Sequence, residues 1–168
     1  MMRCELTERS RGRRLTTPIA LAITALAAIL LPVTPAHAAY GPDQQVYVQV
    51  TANDGSGMQL ARLEGTVAFD DSNTRYRYSL NLCWQSGSYP QPYFSIKVNG
   101  SPAGSPVWTG NTSAAGCQLV ALYSADVNAG SAVYNLSFDV TAGWFSSSNG
   151  YQHMTRTKSS GIYDNPFN

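Results

Sequence analysis

Few side chains in this sequence can do chemistry, and they stand far apart. Past residue 38 there are two cysteines, Cys83 and Cys117, one histidine, His153, and one glutamate, Glu64, beside seven aspartates. A transition-metal site needs several thiolate, imidazole or carboxylate ligands converging. One histidine and one cysteine pair do not supply them, and neither a metal nor a cofactor is expected. Asp54, Asp70, Asp71 and Asn73 carry the oxygens a calcium ion would want, but they sit in two separate Asn/Asp/Ser/Gly clusters of the kind that turns a chain. Serine-based catalysis requires a base held by a third group, for which His153 is the one candidate. Glycoside hydrolysis requires two carboxylates across a cleft, and Glu64 has no evident partner. No catalytic residue is assigned, and a hydrolase using His153 or Glu64 stands as the alternative reading.

The second chemical resource is aromatic. Tyr89, Tyr93, Trp108, Trp144 and Phe145 stand among Gly, Ser, Thr, Asn and Gln rather than among charges. Exposed rings with uncharged hydrogen-bonding neighbours suit the flat faces of sugar rings or a protein surface. Trp144 and Phe145 are adjacent within a Gly- and Ser-rich stretch, where two large rings on an extended loop cannot both turn inward. The competing reading, that these rings plug the end of a small core, stays open for Trp108, Trp144 and Phe145. Trp84 continues an apolar face and is read as core.

The elements that must position these rings follow from a period of two. Val46, Val48 and Val50 alternate with Tyr47, Gln49 and Thr51; Tyr76, Tyr78, Leu80, Leu82 and Trp84 alternate with Arg77, Ser79, Asn81 and Cys83. No stretch of this part shows helical spacing. Strands are expected at 44–52, 58–69, 75–84, 92–98, 106–109, 117–124, 132–141 and 150–157, separated by turn-forming clusters. Gly65 interrupts the second as a bulge or a close-approach point. Asn99-Gly100 signals a hairpin turn, with the connection lengthened by 101–104.

The expected fold is an all-β antiparallel sandwich of about eight strands; between an immunoglobulin-like and a jelly-roll-like strand order, nothing in the sequence chooses. Strict up-and-down alternation gathers the loops at 53–57, 85–91, 110–116 and 142–149 at one end, together with most of the aromatic residues.

A basic head with Arg3, Arg9, Arg11, Arg13 and Arg14 precedes an uncharged apolar run from Ile19 to Leu31, and Ala36-His37-Ala38 offers small residues at the positions a signal peptidase reads. Residues 1–38 are expected to be a cleaved secretory signal, and 39–168 a single domain secreted to the extracellular space without a membrane anchor. In an oxidising compartment Cys83 and Cys117 have each other as partner, and their disulfide is expected. The bridge also tests the strand count. Bridged Cα atoms lie within about 7 Å, so the strands ending at Cys83 and beginning at Cys117 must meet at one end, which requires 106–109 to be a strand. Cys83 points away from Leu82 and Trp84, placing the bridge on an outer face or at the rim.

From residue 39 onward six basic residues face eight acidic ones, with no basic cluster to follow a phosphate backbone. Nucleic acid is therefore excluded as a partner. Together these features lead to the expectation of a secreted, non-catalytic recognition module that binds a polysaccharide or an extracellular protein through an aromatic end. A structural or inhibitory role, carried by a sheet face or the 86–91 loop, is a further alternative.

Overall fold

The computed structural model describes residues 39–109, 113–115 (backbone alone), 117–146 and 152–168. The expected signal peptide, most of the loop expected at 110–116 and residues 147–151 lie outside the described residues. Ten strands form two antiparallel sheets packed together, and there is no helix among the described residues. The first sheet runs β1 (Gln44–Thr51), β2 (Gln59–Phe69), β3 (Arg75–Trp84), β7 (Cys117–Asn128), with the short β6 (Ser113–Ala115) at its edge. In the second sheet β8 (Asn135–Ser146) pairs through one edge with β4 (Tyr93–Val98), which in turn pairs with β5 (Ser101–Trp108). The other edge of β8 carries β9 (Gln152–Ser159) and the two-residue β10 (Tyr163–Asp164). The eight longer strands match the eight expected. β3 stays beside β2 in the first sheet, whereas in an immunoglobulin domain the third strand crosses to the other sheet.

Alternation builds the core as the pattern implied. Val46, Val48 and Val50 of β1, Leu63 and Val67 of β2, and Leu80 and Leu82 of β3 are all buried against Phe138 and Val140 of β8 and Phe94 of β4. Phe94 is fully buried and meets three rings, Tyr78, Tyr123 and Phe138, at centroid distances of 6.4, 5.5 and 6.5 Å. Such pairs each add about 0.5–1.5 kcal/mol beyond the area they bury, and here they tie the two sheets together. Gly65 is a close-approach point rather than a bulge: the β2 register is unbroken through it, and with φ +146° its backbone lies directly against Ser79 of β3.

Two expectations about strand ends are corrected. Asn99 (φ 52°) and Gly100 (φ 79°) both take the left-handed conformation of a two-residue hairpin turn, so β5 begins at Ser101 and 101–104 is strand rather than loop. The Asn99 side chain holds this turn by accepting from Tyr134 N at 2.7 Å and donating to Ala132 O at 2.8 Å. Likewise β8 does not end at Thr141 but continues to Ser146, paired with β9 as Gly143↔Thr155, Trp144↔Met154 and Phe145↔His153. Gly143 resembles a loop signal in sequence, yet the alternation of Ala142 and Trp144 against Thr141 and Phe145 carries the strand through it.

Cys83 and Cys117 are bridged, with Cα atoms 5.5 Å apart, and with Val120 they form a small buried cluster separate from the main core. Gln59 Nε2 donates to Cys117 Sγ at 2.8 Å.

Candidate functional site

Strand pleating puts Trp108 of β5, Tyr93 of β4 and Phe145 of β8 on the outer face of the second sheet. Tyr93 lies opposite Trp108 on one side and Thr141 on the other. The Tyr93 and Trp108 rings pack at 4.3 Å between centroids, tilted by 41°, and Trp108 remains 51% exposed. The Trp108 carbonyl accepts a hydrogen bond from the Tyr123 hydroxyl, which ties this end of β5 to β7 in the other sheet.

Gly143 shapes the centre of the face. A Cβ at that position would come within 2.8 Å of His153 Nε2 and 3.1 Å of Pro90, so only glycine lets the His153 imidazole and the Pro90 ring close over the strand. His153 is also 5.9 Å from the Phe145 ring, which is 44% exposed. Between the Tyr93–Trp108 pair and His153 lies a cavity of about 280 Å³, lined in addition by Pro90, Gln91, Thr141 and Thr155. Among the described residues no Asp, Glu, Lys or Arg lines it. Phe145 is four residues beyond Thr141 along β8, which places it about 13 Å further up the face.

Lys97 and Asp139, in the other half of this face, pair with each other. Lys97 Nζ lies 2.6 Å from Asp139, and the Ser159 hydroxyl donates to the same carboxylate at 2.6 Å. Burial pushes the Asp139 carboxyl up, but the Lys97 and Ser159 hydrogen bonds outweigh it and hold the group below its ordinary range.

Of the five aromatic residues expected to form a binding surface, Tyr93, Trp108 and Phe145 lie on this face. Trp144 does not: adjacent residues of a strand point to opposite faces, and it is buried in the core at 3% exposure. Tyr89 packs against the edge of the core with its hydroxyl 3.4 Å from Met58 Sδ, plugging the end of the sandwich. Pro90, Gly143 and His153 were not foreseen as parts of the site. The available signal was Gly143 itself, since a glycine inside an alternating strand marks a place where another group comes close.

The two residues of the hydrolase alternative are on different sheets. Glu64 sits on the outer side of β2, paired with Arg62 at 2.9 Å, whereas His153 lies on the outer face of the second sheet. Among the described residues no carboxylate bonds to His153, and no three His, Cys, Asp or Glu side chains cluster.

Comparison of this chain with family models, with curated proteins and with solved structures finds no match.

Proposed function

We propose that this protein is a secreted, non-catalytic recognition module that binds a glycan along the outer face of its second sheet. The observation that carries this reading is the half-exposed Tyr93–Trp108 pair beside an uncharged cavity. A sugar ring presents a face of C–H groups, which packs on an aromatic ring, and an equator of hydroxyls, which needs neutral donors and acceptors. Gln91 and Thr155 supply such groups next to the rings, and the His153 imidazole adds a further hydrogen-bonding group. The span from Trp108 to Phe145 suits a chain of sugars more than a single one. The N-terminal signal pattern and the disulfide agree with work outside the cytoplasm.

The test is retention of the purified protein on a panel of insoluble neutral and acidic polysaccharides, comparing wild type with Trp108→Ala and Tyr93→Ala. Both side chains are on the surface, so the variants should melt as the wild type does and yet lose retention on the neutral polymers. Failure of the wild type to be retained on any of them would sink the glycan reading and leave a protein surface as the partner to pursue. Export is tested separately, by sequencing the N-terminus of protein recovered from the culture medium, where Ala39 is expected first.

A further inference from the structure

The β4–β5 hairpin has a second face, and it does not close on the sheet opposite. Phe94 pairs with Val107 and Ile96 with Ala103, so three residues of β5, Gly104, Ser105 and Pro106, stand opposite the single Ser95. This bulge, with Gly104 at φ +75°, leaves β5 with small side chains where β7 would need large ones to pack against. The result is a cleft of about 620 Å³ between the inner faces of the two sheets. The cleft opens to solvent, and its shape follows from the three-against-one pairing of β5 with β4.

We infer that this cleft is a binding site for an uncharged, mostly apolar small molecule, independent of the glycan-binding face. Three observations select that class. The apolar walls are Tyr76, Tyr78, Ile96, Val98, Val107 and Val127, Ser105 and Ser131 add hydroxyls, and among the described residues no Asp, Glu, Lys, Arg or His lines the space, so a charged ligand would enter without a counter-charge. Its volume lies in the range of pockets that enclose ligands of drug size, about 300–1,000 Å³. Tyr76, 3% exposed, and Tyr78 both line the space, so its otherwise apolar wall carries two phenol groups that can meet one polar group of the ligand. Burial raises the pKa of both Tyr76 and Tyr78, keeping the two phenols neutral. Asn99, Ser101 and Asn128 make a polar but uncharged mouth.

The test uses Nile red, a neutral apolar dye whose emission rises in an apolar site, titrated with wild-type protein, Ala103→Trp and Trp108→Ala. Ala103 shares the inner face with Ile96, so the indole of Ala103→Trp fills the cleft; should that variant not fold, Val107→Phe narrows the same wall. Saturable binding is expected for the wild type and for Trp108→Ala, with affinity about tenfold or more weaker in the filled variant. Absence of saturable binding to the wild type would overturn the inference. So would equal affinity in Ala103→Trp, or loss in Trp108→Ala alone, which would put the dye on the outer aromatic face. Trp108→Ala is expected to abolish glycan retention and to spare dye binding, so failure of either reading leaves the other testable.

Discussion

Replacing Gly65 by alanine should be among the most damaging single-methyl changes this fold can receive. The added Cβ would fall on the carbonyl oxygen of Ser79, well inside the 3.0 Å that real Cβ atoms keep, and would also touch the Leu80 Cα at 3.0 Å. Both atoms belong to the backbone of β3, so no side chain can swing aside. Relief requires β2 and β3 to part by about 1 Å around the Gly65↔Leu80 pair, which carries ladder hydrogen bonds beyond their working length. Two such bonds are worth about 1–3 kcal/mol together. Holding a side chain at φ +146° adds about 1–3 kcal/mol. The expected loss is therefore about 4 kcal/mol, a large part of the 5–15 kcal/mol typical of a domain.

Urea denaturation followed by tryptophan fluorescence reads this directly. With a slope of about 2 kcal/mol per molar, the midpoint should fall by about 2 M. Gly55 is the internal control: it too has a positive φ, +83°, but nothing lies within 4 Å of its would-be Cβ. Gly55→Ala carries the backbone strain without the collision and should cost about 1 kcal/mol. Equal midpoints for the two variants would refute the collision with Ser79 as the cause.

Exchanging both Cys83 and Cys117 for serine opens a loop of sequence separation 34, which by chain entropy costs about 4 kcal/mol; calorimetry should show the melting temperature lowered by about 10 °C or more. Asp70 is fully buried and its carboxylate accepts from Thr74 N at 3.0 Å, Arg75 N at 2.8 Å and the Ser72 hydroxyl. Asp70→Ala leaves those donors without an acceptor and should cost about 2–4 kcal/mol by urea melt, with Asp70→Asn losing clearly less. Asp139 titrates below its ordinary range in the folded state, so at mildly acidic pH the unfolded chain binds more protons and stability rises with pH there. Its contribution is complete above the ordinary carboxylate range and disappears as the pH falls through the folded value; Asp139→Asn should flatten that part of a melting-temperature profile against pH.

The strands were readable because burying one face of a sheet leaves a mark of period two, which Val46 to Val50 and Tyr76 to Trp84 carry without interruption. Where a residue type has two uses, the pattern failed. Gly143 and Ser101 to Gly104 have the composition of loops but lie in strands, because their pairing with β9 and β4 outweighs their weak strand preference. The error at Gly143 moved Trp144 and Phe145 into a loop, and it also hid the site, since a pair that belongs to one strand is divided between core and surface. Tyr93 and Trp108 were within reach of the sequence because both flank turns. Their contact was not, since it depends on the hairpin register that Asn99 and Gly100 set. The cleft was beyond sequence reasoning for a similar reason: it arises from three residues opposing one, and the bulge leaves no mark in the alternation of β4.

The described chain begins and ends at one pole of the sandwich. Tyr40 bridges to Asp70 at the end of β2, and Gly41 packs within contact of Phe167. Tyr93 and Trp108 lie toward the other pole, near the end where β3 stops at Trp84. The ten residues of β3 that separate the two poles amount to about 30 Å. An affinity tag, a resin or a fusion partner attached after Asn168 would therefore stand clear of the aromatic face, so the protein can be anchored at high density on a sensor with every copy presenting its rings outward. Two copies joined in tandem through a linker would extend the test of the proposed glycan reading: a polymer bound along this face should retain the tandem protein more strongly than a single copy.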